Sequence, residues 1–374
     1  MNLEEALKTH TVMDSGMRIW RAALAVVAAV ALGACGPMET GAPVELAPAE
    51  YVELAPGAPA MPGLSPQASP VGDAAQEAEL ERIVSSQAVS THYILFIRGL
   101  DPYFNRAAHD NNTRTPQACD SYWSSTLQFF TNRGWGSQLR TIGIYSKQTG
   151  CYVNLANVAP NQSSSLSIMQ GSSPFTNETS IGALGHRLAW WIYNNYTSKG
   201  LTVSLVGHSM GGLVARTAVG GASKRLSGFP PPLLVKGMVL LATPNNGASS
   251  SYLGGFTGCT TQCAQMNSGS TLLTSLNNSW DNGNSGVSYR LNLIGSNDIA
   301  VGDVRSGAYG GTGTSLYFIS PAYDHGNILT DQGTTSDASI GYWEDRTQAY
   351  TLNPPKFQGQ PRSLIWTYNW ATSL

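Results

Sequence analysis

The hydrophobic pattern changes character at Thr91. From Gly36 to about Ser90, Pro, Ala and Glu dominate and no apolar period emerges. Such a stretch cannot bury enough surface to offset its ordering entropy, so residues 36–90 read as a linker. Beyond it, His92-Tyr93-Ile94-Leu95-Phe96-Ile97 has the length and composition of a buried strand. Strand-like and helix-like segments then alternate. Helical spacing is expected over 121–132, 179–196 and 211–219, and strands over 139–145, 201–206, 235–242, 289–294 and 316–319. Within 179–196 the apolar positions Ile181, Leu184, Leu188, Trp191 and Ile192 keep a helical period, and Gly200 follows as a stop signal. This alternation predicts an α/β fold: a mainly parallel sheet with helices on both faces. In such sheets ligands gather beyond the carboxyl ends of the strands, so every chemical residue is expected just after a strand.

A second apolar run lies near the N-terminus. Arg18 and Arg21 precede Ala22 to Leu32, and Gly33, Ala34 and Cys35 follow. A short basic stretch, a short apolar core and small residues describe a signal peptide. The run is too short to span a bilayer as a stable helix. Leu32-Gly33-Ala34-Cys35 also resembles the bacterial lipobox, which would make Cys35 a lipidated mature N-terminus. The polar residues 1–16 sit awkwardly before the basic region, so translation is expected to start at Met17. The expected layout is a signal region 1–35, the linker 36–90, and one folded domain 91–374 with an insertion at about 249–284. The protein is expected to be exported, either as an outer-membrane lipoprotein touching the membrane through its anchor or as a secreted monomer.

Charge narrows the partners. Charged residues are 12% of the 374-residue chain and the net charge is −2, so no basic surplus exists to neutralise nucleic-acid phosphates. Four cysteines follow Cys35: Cys119, Cys151, Cys259 and Cys263. An even number in an exported chain favours two disulfides. Three pairings are possible; Cys259–Cys263 with Cys119–Cys151 is preferred. No histidine lies near either cluster, which counts against zinc.

The chemistry centres on Gly207-His208-Ser209-Met210-Gly211, a G-x-S-x-G sequence. A strand runs into it and a helix leaves it, the setting that a nucleophile elbow requires. Ser209 is the candidate nucleophile. A serine hydroxyl needs a base, and histidine has a suitable pKa. Of the six histidines, His10 precedes the folded part, His92 begins a strand, and His109 lies in an early polar loop. His186 sits within a helix, and His208 adjoins the serine with its side chain expected to point elsewhere. His325 remains, on a loop after the last expected strand. The acid falls between serine and histidine in chain order. Asp298, after the 289–294 strand, is preferred, with Asp303 the rival.

With these residues in place the chain resembles bacterial lipases and esterases of the α/β-hydrolase family over roughly 91–329. The likeness rests on Gly207-His208-Ser209-Met210-Gly211-Gly212, on Ala242-Thr243-Pro244-Asn245-Asn246-Gly247, and on Gly269-Ser270-Thr271-Leu272-Leu273 with Leu276-Asn277. It implies an α/β-hydrolase fold and hydrolysis of an acyl ester or lipid through a Ser209–His325–Asp298 triad. It also implies an oxyanion hole made by the backbone N–H groups of Met210 and Leu100. Two positions depart from the family pattern. Ile299 follows Asp298 where glycine is usual, and Arg98 precedes Gly99 where histidine is usual; a structural hydrogen-bonding role is preferred for Arg98 over contact with an acidic substrate. The same machinery would serve a thioesterase or a polyester depolymerase, and a non-catalytic tethered binding protein is the reading from another class. No cofactor motif is present, so none is expected, although loop carboxylates leave room for a structural calcium. The insertion is expected either to wall the acyl site, with Leu272 and Leu273 in contact with substrate, or simply to pack on the sheet.

Overall fold

The computed structural model describes residues 92–373, apart from 170, 172, 257, 282–285, 302–312, 334 and 345–355. Cys35, Met17, His10, the signal region, the linker and Asp303 therefore lie outside the described residues. Among the described residues nine strands form one sheet: β1 (His92–Ile97), β2 (Leu139–Gly143), β3 (Val153–Asn154), β4 (Thr202–His208), β5 (Val235–Leu241), β6 (Tyr289–Gly295), β7 (Thr314–Ser320), β8 (Ala338–Glu344) and β9 (Lys356–Gln360). Their order across the sheet is β3-β2-β1-β4-β5-β6-β7-β8-β9. Pairings from β3 through β7 are parallel, whereas β7–β8 and β8–β9 are antiparallel.

The helices follow from the same alternation. They are α1 (Arg106–Asp110), α2 (Cys119–Tyr122), α3 (Ser124–Thr131), α4 (Ile181–Asn195), α5 (Met210–Ser223), α6 (Ser250–Gly254), α7 (Thr261–Met266), α8 (Thr271–Ser275) and α9 (Ser363–Thr372). Successive side chains of a strand point to opposite faces, and β1 shows this directly. Leu95 and Ile97 join the core under α4 and α5, with Leu184, Leu188, Leu213 and Val214. Ile94 and Phe96 join a second core with Phe129 and Phe130 of α3 and Trp366 and Trp370 of α9. Both faces are thus covered, which is why the strands read as near-continuous apolar runs.

The cysteines pair as Cys119–Cys151 and Cys259–Cys263. The first bond fastens the start of α2 to the segment before β3, a constraint that bears on the site below.

At the start of β1, His92 is almost fully buried (1% exposed). Its ring lies 2.7 Å from Thr202 Oγ1 and 3.0 Å from Ser204 Oγ, so it bridges β1 to β4. Burial pushes its pKa down to about 4. The neutral ring is the folded form, while the unfolded chain takes up a proton below its ordinary value of about 6.5. Stability is therefore full above pH 6.5 and falls as the pH drops toward 4, by about 3 kcal/mol from this residue. Urea midpoints recorded between pH 7 and pH 4 should decline accordingly, and His92→Gln should flatten that decline.

Candidate active site

The sheet order itself locates the site. Strand order descends from β3 to β1 and then ascends from β4, so the switch point lies between the carboxyl ends of β1 and β4. Leu100 follows β1 and Ser209 follows β4. Asp298 lies just beyond β6 and His325 just beyond β7. Four residues that are distant in sequence thus collect on one edge.

Ser209 occupies a sharp turn. Its φ is 54° and its ψ −131°, a left-handed conformation that L side chains rarely adopt. Its backbone N–H donates to the Leu241 carbonyl at 2.8 Å, which ties the elbow to the end of β5. Glycine is required around it. A Cβ on Gly211 would sit 2.2 Å from the Ile97 carbonyl oxygen, and one on Gly99 would sit 2.7 Å from Ser209 Cβ. The loop after β1 can approach Ser209 only because Gly99 has no side chain.

His325 Nε2 lies 2.8 Å from Ser209 Oγ. Its Nδ1 lies 3.0 and 2.9 Å from the two carboxylate oxygens of Asp298. A carboxylate only accepts, so Nδ1 carries the proton and Nε2 presents a lone pair to the serine. Asp298 is buried, and its Oδ1 also accepts the N–H groups of Ala300 and Val301, each at 3.0 Å. The backbone turn that follows Asp298 therefore holds its carboxylate. Ile299, the position that departs from the family pattern, is 70% exposed.

Among the described residues, neither the Leu100 nor the Met210 N–H has a protein acceptor. Met210 begins α5, where a helix leaves its first N–H groups unpaired and carries its positive end. Arg98 is buried and its guanidinium braces the loop: Nε donates to the Gly99 carbonyl at 3.2 Å and Nη1 to the Gln117 carbonyl at 2.8 Å. The same group lies 4.7 Å over the Tyr122 ring. It faces the protein interior rather than a substrate.

A cleft of about 50 Å³ opens onto Ser209 and His325, walled by Leu100, Pro244, Tyr252, Leu253, Met266 and Val301. The insertion contributes Tyr252, Leu253 and Met266. Leu272, Leu273 and Leu276 are instead buried in the core beside α5, which corrects the expectation that Leu272 and Leu273 meet substrate. The insertion is also clamped. Buried Gln262 donates to the carbonyls of Thr176 (3.2 Å) and Thr179 (2.8 Å) and accepts from the Tyr145 hydroxyl (2.8 Å). It is a fixed wall of the cleft. The C-terminal aromatics Trp366, Tyr368 and Trp370 are packed against the sheet.

Two participants escaped the sequence reading. His208 does not point away: its Nε2 lies 2.6 Å from the backbone oxygen of His325, and the two rings are 4.9 Å apart. Tyr122, within what reads from sequence as one ordinary helix, hydrogen-bonds His208 Nδ1 and lines the cleft. The remaining histidines serve elsewhere: His186 bonds the Gly228 carbonyl and His109 pairs with Asp110.

A parallel sheet that switches between β1 and β4, a strained serine elbow, and Ser209, Asp298 and His325 beyond the ends of β4, β6 and β7 together describe the α/β-hydrolase fold. A family model described as "Putative serine esterase (DUF676)" matches residues 154–280. That stretch holds the elbow and most of the insertion but neither Asp298 nor His325. No curated protein matches the chain. Among solved structures, a Bacillus licheniformis lipase, BlEst2 in mature form, is 16% identical over 56% of this chain and 68% of its own, with a TM-score of 0.30. The phospholipase PlaB from Legionella pneumophila is 11% identical over 76% of this chain, with a TM-score of 0.40. The chain spans only 59% of the phospholipase's length.

Proposed function

We propose that the protein is a serine carboxylic-ester hydrolase acting through an acyl-enzyme on Ser209. The observation that carries this reading is the unbroken hydrogen-bond chain from Ser209 Oγ to His325 to Asp298, set beside two free backbone donors. Ser209 Oγ attacks the ester carbonyl carbon while its proton passes to His325 Nε2. Asp298 keeps Nδ1 protonated and stabilises the imidazolium that forms. The developing oxyanion is held by the Met210 and Leu100 N–H groups. His325 then returns its proton to the leaving alcohol. Water repeats the sequence on the acyl-enzyme, releasing the acid and restoring the serine.

The cleft beside Ser209 is lined by apolar Leu253 and Met266 as well as by His325. Purified protein is expected to hydrolyse members of a p-nitrophenyl ester series from acetate to palmitate, and Ser209→Ala to hydrolyse none of them. Inactivity of well-folded protein on every ester would sink the reading. We further propose that Cys35 and the linker tether this domain to a membrane. Metabolic labelling with a fatty acid, compared with Cys35→Ala, tests that separately.

A further inference from the structure

We propose that Tyr122 and His208 are positioning residues: together they form a directed hydrogen-bond relay that links the oxyanion-side loop to the base loop behind Ser209. The inference rests on the hydrolase reading above, because what it sets is the spacing between two parts of that machinery.

The direction of every bond follows from its ends. The His325 backbone oxygen can only accept, so His208 Nε2, 2.6 Å away, must carry a proton. In a neutral imidazole Nδ1 is then a lone pair, and Tyr122 must donate its hydroxyl proton to it. The Tyr122 oxygen keeps lone pairs, and the Gly99 N–H donates to one of them at 3.2 Å. The relay thus runs Gly99 N–H to Tyr122 O–H to His208, then His208 N–H to the His325 carbonyl. Gly99 immediately precedes the oxyanion donor Leu100, and the His325 carbonyl belongs to the base itself.

The surroundings hold this arrangement. Burial, reinforced by the nearby His325, keeps the His208 pKa well below its usual value, so the ring stays neutral. Neutrality is needed, since a cationic His208 ring 4.9 Å from His325 would oppose the imidazolium formed during attack. Burial pushes the Tyr122 hydroxyl upward, so it remains a donor. Arg98 stacks on the Tyr122 ring, and the Cys119–Cys151 bond anchors α2, which carries Tyr122 at its end.

During attack, negative charge grows at the Leu100 and Met210 amides while positive charge grows on His325. A relay that fixes the distance between these two centres acts on the transition state more than on substrate binding. Misplacements of about 1 Å cost on the order of 100-fold. Tyr122→Phe keeps the ring but removes the hydroxyl. We expect it to lower kcat on p-nitrophenyl butyrate 10- to 100-fold, with KM within about twofold, by the same geometric argument. The companion measurement is ¹⁵N NMR of wild-type His208, which should show the Nε2–H tautomer and no titration between pH 5 and 8.

The outcomes separate the two claims. A Tyr122→Phe enzyme with unchanged kcat, or with a raised KM alone, overturns the relay and leaves the hydrolase reading intact. An Nδ1–H tautomer, or a His208 that titrates near neutrality, overturns the relay even if Tyr122→Phe fails to fold. A wild-type protein whose Ser209 neither turns over esters nor reacts with a fluorophosphonate overturns the hydrolase reading, and the positioning role with it.

Discussion

Replacing Asp298 with asparagine should lower kcat by about 10⁴-fold while leaving the fold unchanged, because it inverts the tautomer of the base. Asp298 now accepts from His325 Nδ1 through both oxygens, at 3.0 and 2.9 Å. An asparagine amide facing Nδ1 would donate instead, moving the imidazole proton to Nε2, where it meets Ser209 Oγ. The base would then have no lone pair for the serine proton. The retained carboxamide oxygen can still accept the Ala300 and Val301 N–H groups, so the turn beyond β6 should persist. The check is kcat and KM for p-nitrophenyl butyrate beside a thermal melt. A large fall in kcat with a melt close to wild type supports the assignment. Retention of more than about a tenth of the activity would remove Asp298 from the triad, since removal of the tautomer control costs far more than that.

The second large effect concerns stability. Asp281 is fully buried between two buried arginines: its Oδ2 lies 3.0 Å from Arg216 Nε and its Oδ1 2.7 Å from Arg290 Nη1. Arg216 continues the network to Asn245 Oδ1 (3.1 Å) and Asn277 Oδ1 (2.8 Å). Asn277 in turn donates to the Asn245 carbonyl at 2.9 Å. One buried carboxylate thus joins α5, the turn after β5, the end of the insertion and β6. Asp281→Ala leaves the arginines with uncompensated positive charge in an apolar interior, at a cost of about 3–5 kcal/mol. That is a large fraction of a typical folding stability of about 5–15 kcal/mol. Urea denaturation should read it directly. A loss below about 1 kcal/mol in Asp281→Ala would show that water reaches the cluster.

Some of this was legible in the sequence and some was not, for physical reasons. The strands β1, β4 and β5 announced themselves because burial on both faces produces apolar runs that no surface element carries. The elbow followed from two glycines placed where a strand meets a helix. His325 emerged because few histidines exist and its loop follows β7, the last strand that the apolar pattern marks. The C-terminal elements were harder. Helix α9 is buried over most of its circumference, including Ser363, Leu364, Trp366, Thr367, Tyr368, Trp370 and Ala371, so no amphipathic stripe marks it. Strand β9, Lys-Phe-Gln-Gly-Gln, is too polar for its apolar pattern to announce a strand. Apolar residues at Leu272 and Leu273 signalled burial correctly but not against which surface. The relay was invisible because Tyr122 and His208 lie 86 positions apart and meet only through parallel crossover geometry. The adjacency of His208 to Ser209 was the one available signal.

The central claim is that Ser209 becomes acylated. Protein mixed with a short activated ester and quenched within one turnover should carry the acyl mass on the peptide containing Ser209, and Ser209→Ala should carry none. An adduct on another residue, or ester turnover that survives in Ser209→Ala, would contradict it.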